Sequence, residues 1–380
     1  MLHVPAYVRA IAPYQGGKPI TELAREYGLE ETQIVKLASN ENPLGMPASA
    51  RTAMAQAASE LARYPDGNGF ALKSAIAQRF DLPLEWITLG NGSNDILELA
   101  TRAFVEPGHA TVFSAHAFAV YALATQAVGA RAIVVPAVAS GPQAYGHDLD
   151  AMLEAIDADT RIVFIANPNN PTGTFLAADA VEAFLQSVPE RVLVVYDEAY
   201  TEYLAPSERP DAFQWVRRFP NLLVSRSFSK VYGLAGLRVG YGVAQSLVSD
   251  LLNRVRQPFN VNLLAQAAAV AALSDEDWLA QTYAANRAGL TQLEVGLSAL
   301  GLRWLPSRGN FILVQVAPLS ESSAGVPADP ALAVYDRLLR AGVIVRPVGN
   351  YGLAGWLRVS VGLPSENAAF LAALPAALGR

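Results

Sequence analysis

Seven short apolar runs between residues 86 and 242 constrain the fold more than any other feature of this sequence. They are Trp86-Ile87-Thr88-Leu89, Thr111-Val112-Phe113, Ala132-Ile133-Val134-Val135, Ile162-Val163-Phe164-Ile165, Val192-Leu193-Val194-Val195, Leu222-Leu223-Val224 and Val239-Gly240-Tyr241-Gly242. Each is rich in β-branched or aromatic residues, and helical patterns separate most of them. Strands that are apolar on both faces and alternate with helices predict an α/β fold, with a largely parallel seven-stranded sheet sandwiched by helices. Ligands of such sheets sit beyond the carboxyl ends of the strands. The segments that follow these runs are therefore where chemistry is expected.

Composition narrows the possibilities further. At 380 residues, with 52% hydrophobic and 16% charged, the chain can bury a large core and divide into two domains. A net charge of -6 argues against a general nucleic-acid or anionic-membrane binder. With no cysteine, disulfides, thiol catalysis and thiolate metal sites are excluded. His3, His109, His116 and His147 show no zinc-ligand spacing, so no metal is expected. The amino terminus lacks the basic and apolar regions of a signal peptide, and no apolar run has the length of a membrane span. A cytoplasmic location without membrane or nucleic-acid partners is the expectation.

The stretch after the sixth run concentrates chemistry. It reads Ser225-Arg226-Ser227-Phe228-Ser229-Lys230-Val231-Tyr232-Gly233-Leu234-Ala235-Gly236-Leu237-Arg238-Val239-Gly240. Lys230 has no acidic neighbour in an apolar context. Desolvation there lowers an amine's pKa and makes it a nucleophile able to form a Schiff base with an aldehyde. Ser227, Ser229 and Arg238 are donors suited to a phosphate. One physical reading is a lysine carrying pyridoxal 5′-phosphate. Lys230 taken alone reads rather as a solvated lysine at a strand–turn–strand edge; the whole stretch shifts the balance toward the cofactor.

Four further segments follow the other runs. Gly90-Asn91-Gly92-Ser93-Asn94-Asp95 opens a helix, so it is either an anion site or a plain cap. Phe118, in Ser114-Ala115-His116-Ala117-Phe118, reads by itself as a core residue. Asn167-Pro168-Asn169-Asn170-Pro171-Thr172-Gly173 follows a non-helical path set by two Asn-Pro pairs. Tyr196-Asp197-Glu198-Ala199-Tyr200 ends an apolar strand on a carboxylate, which burial makes costly unless it is paired.

Together these segments closely resemble fold-type I pyridoxal-phosphate aminotransferases of class I and II. The likeness runs from the Tyr14 region to Gly362. Ala38-Ser39-Asn40-Glu41-Asn42-Pro43-Leu44-Gly45 is similar to a segment of the histidinol-phosphate aminotransferases and their near relatives. The resemblance implies that Lys230 is the catalytic, cofactor-bearing lysine. It implies a phosphate cup of Ser93, Asn94, Ser227, Ser229 and Arg238, joined by Tyr64 from the partner subunit of a homodimer. Phe118 would stack on the pyridine ring, Asp197 would pair with its nitrogen, and Asn170 and Tyr200 would contact its phenolic oxygen. Tyr14, Arg346 and Arg358 would meet substrate. Asp95 departs from the family's usual glutamate.

The implied organisation is an N-terminal arm (1–41), a large cofactor-binding domain (42–274) and a small α+β domain (275–380), with a Ser/Pro/Gly-rich insert at 317–329. The implied reaction exchanges an amino group between L-histidinol phosphate and 2-oxoglutarate, giving imidazole-acetol phosphate and L-glutamate. The same scaffold serves aromatic-amino-acid aminotransferases and threonine-phosphate decarboxylases. It also serves pyridoxal-phosphate-binding regulators, which carry a further DNA-binding domain; with a tyrosine arm starting almost at Met1, none is expected here.

Overall fold

The computed structural model describes residues 2–14, 16–317 and 329–380. Most of the expected insert, residues 318–328, lies outside the described residues. A short strand β1 (Val35–Lys36) precedes the main sheet. That sheet contains β2 (Ile87–Gly90), β3 (Ala110–Ser114), β4 (Arg131–Val135), β5 (Thr160–Ala166), β6 (Leu193–Asp197), β7 (Leu222–Ser227) and β8 (Gly240–Val243). Their spatial order is β2-β8-β7-β6-β5-β3-β4. Within this sheet, among the described strands, only β8 runs against its neighbours. It therefore begins at the edge where the other six end, and Gly240 pairs with Ser227. This reversal brings Arg238, just before β8, to the same edge as the residues after β7.

Both faces of the sheet are buried, as the apolar runs require. Val163, Ile165, Val194, Tyr196, Leu222 and Val224 face one helical layer. Ile162, Phe164, Leu193, Val195 and Leu223 face the other. Strand side chains alternate in direction, so a run without polar interruption must be covered twice. Each such buried side chain contributes about 1.5–3 kcal/mol from removal of apolar area from water. The alanine-rich helix Leu263–Leu273 packs against the helix Ala48–Ala57, small side chains permitting close approach.

The second unit centres on β9 (Trp304–Leu305), β10 (Phe311–Gln315), β11 (Val343–Ile344), β12 (Arg346–Pro347) and β13 (Trp356–Ser360). Four of these strands form an antiparallel sheet in the order β12-β13-β10-β9. Its core includes Leu290, Leu297, Ile312, Leu338, Leu357 and Phe370. β11 instead pairs in parallel with β1, tying the N-terminal segment to this unit.

Three local features refine this picture. The helix Ala48–Ala57 tightens into a 3₁₀ turn over Ala58–Glu60, a common way to close a last turn. Trp86 belongs to a 3₁₀ turn, and its strand starts at Ile87. Between β11 and β12 the chain passes from one sheet to another at buried Val345. Among the described residues, no helix is long and apolar enough to cross a membrane.

Candidate active site

The carboxyl edge of the main sheet, the 38–40 strap and β12–β13 enclose a cavity of about 270 Å³. All the site residues singled out in the sequence line it except Tyr64. That tyrosine is 82% exposed and stacks on Phe259 at 4.8 Å between ring centroids.

One end of the cavity is built for an anion. The helix Ser93–Phe104 starts there, with Ser93 and Asn94 in its first turn and its early N–H groups without helical partners. Gly92 has φ +80°, and a Cβ on it would lie 2.6 Å from Arg238 Nη2. A Cβ on Gly240 would lie 2.5 Å from the Ser93 nitrogen. Glycine at these two places lets the helix terminus, β8 and the arginine converge. Ser227 Oγ accepts from the Ser229 nitrogen at 3.0 Å, and Arg238 Nη1 donates to Ser229 Oγ at 3.2 Å. Arg238 also donates to the carbonyls of Ala235 and Asn91. Asp95 turns away from the cup: its Oδ2 accepts from the Asn91 nitrogen and from Asn260 Nδ2. The shorter acid thus braces the loop.

Lys230 stands in the middle. Its Nζ donates to the Ser39 carbonyl at 3.4 Å and lies 5.6 Å from the Tyr200 ring centroid. Burial, and then the nearby Arg358 charge, push its pKa down to about 8. Asp197 is buried at the end of β6. Burial pushes its pKa up to about 6, opposed by the Tyr121 hydroxyl at 3.0 Å from Oδ2 and by the Ala199 N–H at 3.2 Å from Oδ1. Phe118 presents its ring beside it, edge-on to Tyr121.

The far wall carries two arginines. Arg346 on β12 and Arg358 on β13 are register partners. Arg358 Nη1 donates to Asn170 Oδ1 at 2.6 Å, and Nη2 to the Ala38 carbonyl at 2.6 Å. Its Nε is buried without a partner. Among the described residues, Arg358 forms no ion pair with a carboxylate. The guanidinium of Arg346 lies 5.7 Å from the Tyr14 ring centroid. Tyr200, expected to face a cofactor oxygen, accepts a hydrogen bond from Asn40 Nδ2 at 2.9 Å.

Two contributions escaped sequence reasoning. The consecutive carbonyls of Ala38, Ser39 and Asn40 accept from Arg358, Lys230 and Asn310 in turn. Asn40 holds this strap in the left-handed region at φ +55°, which asparagine tolerates. The segment stands out in the sequence, but carbonyl oxygens carry no residue signature. Tyr121, which donates to Asp197, had no signal beyond lying one helical turn after Phe118.

These residues fit pyridoxal phosphate. The cup matches a phosphate, the buried low-pKa amine an aldehyde, the buried carboxylate a protonated pyridine nitrogen, and Phe118 a flat ring.

Comparison with known proteins agrees with this geometry. The chain is 64% identical over 376 residues to histidinol-phosphate aminotransferase 2 of Ralstonia nicotianae, covering 99% of this chain and 97% of that one. It is 62% identical over 374 residues to histidinol-phosphate aminotransferase 1 of Cupriavidus pinatubonensis, covering 98% and 96%. The crystal structure of histidinol-phosphate aminotransferase from Sinorhizobium meliloti, in complex with pyridoxal-5′-phosphate, superposes with a TM-score of 0.88. There the identity is 29%, covering 100% of this chain and 98% of that one. The family model for aminotransferase class I and II matches residues 32–374, and the chain belongs to that family.

Proposed function

We propose that this protein transfers the amino group of L-histidinol phosphate to 2-oxoglutarate, giving imidazole-acetol phosphate and L-glutamate. The observation that carries the reading is Arg358. It is a buried guanidinium held by two neutral acceptors, beside Arg346 and in the same cavity as a nucleophilic lysine whose charge it opposes. A buried cation without an internal carboxylate calls for an anion from outside. The donor's phosphate and the carboxylate of 2-oxoglutarate each supply one. The names of the relatives above support the same substrate.

Pyridoxal phosphate, when bound, supplies the electron sink and carries the amino group between the two half-reactions. Ser93, Asn94, Ser227, Ser229 and Arg238 would hold its phosphate, and Lys230 Nζ would meet its aldehyde carbon. Asp197 would face the ring nitrogen, Phe118 the ring face, and Asn170 and Tyr200 the phenolic oxygen. Once donor has taken its place, Lys230 Nζ removes the donor's Cα proton. An amine with a pKa near 8 is suited to that task at neutral pH. Arg358, Arg346 and Tyr14 orient the donor. The working form is a cytoplasmic homodimer in which Tyr64 serves the neighbouring subunit's phosphate cup, consistent with its exposure and its place outside its own cavity.

The test is a single-turnover absorbance assay on the yellow holoenzyme. L-Histidinol phosphate, L-phenylalanine and L-threonine phosphate are mixed in separately. The expected result is bleaching by histidinol phosphate at far lower concentration than by phenylalanine. Preference for phenylalanine, or CO₂ release from threonine phosphate, would overturn the substrate assignment.

A further inference from the structure

We infer that Tyr121 is a positioning residue for the cofactor's ring, fixing the Asp197 carboxylate that meets the pyridine nitrogen and bracing the Phe118 ring that meets its face. The inference rests on the reading of Asp197 and Phe118 given above.

Tyr121 is fully buried on the helix Ala119–Ala127. Its ring is set by the sheet: it stacks on Phe164 of β5 with centroids 4.6 Å apart and planes 5° from parallel. From there the hydroxyl donates to Asp197 Oδ2 at 3.0 Å, while the Ala199 N–H holds Oδ1 at 3.2 Å. Each carboxylate oxygen thus has one donor fixed by the fold and lone pairs left for a third. The carboxylate cannot rotate without losing one of these bonds.

The same ring meets Phe118 edge-on, with centroids 6.0 Å apart and planes at 89°. The Tyr121 nitrogen closes the first turn on the Phe118 carbonyl at 3.1 Å. One side chain therefore touches both groups that would define the ring's plane and its nitrogen. Buried tyrosines ordinarily satisfy the hydroxyl on any convenient acceptor. This one satisfies it on a buried carboxylate whose proton affinity burial has already raised. Without the hydroxyl, Asp197 would hold a proton more tightly, and the pyridine nitrogen correspondingly less.

The experiment is ¹⁵N NMR of holoenzyme reconstituted with pyridoxal phosphate labelled at the ring nitrogen, comparing parent, Tyr121→Phe and Asp197→Ala. Phenylalanine keeps the ring stack and removes only the O–H. The expected result is a Tyr121→Phe resonance displaced toward the unprotonated pyridine position. A fall in kcat of about tenfold, the size of one lost charge-assisted hydrogen bond, should accompany it with donor KM unchanged. A parental resonance in Tyr121→Phe, with a displaced one in Asp197→Ala, would overturn the inference and leave the role of Asp197 standing. A parental resonance in both would overturn the reading of Asp197 itself. If Tyr121→Phe does not take up cofactor, 3-fluorotyrosine at position 121, a stronger donor, should move the resonance the opposite way. No movement there would also overturn the inference.

Discussion

Arg226 and Arg358 are both buried, one 9% and the other 7% exposed, and the fold treats their charges in opposite ways. Arg226, on β7, meets the buried carboxylate of Glu198 at 2.7 Å and lies 4.3 Å from the Phe213 ring centroid. Its charge is answered internally, and its pKa is raised by that neighbourhood despite burial. Arg358 meets an amide oxygen and a backbone carbonyl, and burial drives its pKa down. The first arginine ties the end of β6 to the end of β7, where Asp197 and Ser227 emerge. The second, among the described residues, keeps an unanswered charge facing a cavity. Burial alone does not separate scaffold from receptor; the presence or absence of an internal counter-charge does.

The comparison can be broken in several places. The largest effect belongs to the amine that stands in the field of Arg358. Lys230→Ala should lower turnover by at least about 10³-fold, as expected for loss of the nucleophile and proton carrier. It should also abolish the visible band of the lysine-bound cofactor, read by absorbance during reconstitution. Substantial transamination by this variant would sink the assignment.

Glu198→Ala should be the next largest. It strands the Arg226 charge in the core, with an expected loss of about 3–5 kcal/mol in urea unfolding of the holoenzyme. A change within about 0.5 kcal/mol, the range of ordinary surface substitutions, would mean the pair is not needed as scaffold.

A smaller effect concerns pH. The reactive form of Lys230 is the neutral amine, so capture of pyridoxal phosphate by cofactor-free protein should rise as pH increases through about 8. Arg358 is the second cause of that depression, after burial. Arg358→Met should therefore move the midpoint upward, so that capture at pH 7.5 slows. A midpoint that stays in place would separate the two groups electrostatically.

Much of this arrangement was legible in the sequence because its parts are local. A strand read from Val192-Leu193-Val194-Val195 delivers Asp197 to its carboxyl end whatever lies beside it. The Ser227–Arg238 stretch carries three of the five cup residues, and Ser93 and Asn94 follow another apolar run. What was not legible depends on distant pairing. The partner of Arg226 is 28 residues upstream, and Tyr121 and Asp197 are 76 residues apart. The reversal of β8 cannot be read from an apolar run, since the run has no direction. The strap at 38–40 works through carbonyl oxygens, which every residue has. Arg358 stands out in the sequence with Arg346, but that no acid meets it among the described residues depends on which side chains the fold brings near.

The most direct test of the account is therefore Arg358→Met in the holoenzyme, with unfolding stability and donor KM measured on the same preparation. Removing an unanswered buried charge and filling its space with an apolar chain should leave stability equal or higher. KM for L-histidinol phosphate should rise by about 100-fold, the scale of a lost bidentate contact to an anion. A loss of several kcal/mol in stability with KM unchanged would make Arg358 a second scaffold arginine, and the anion-receptor account would fail.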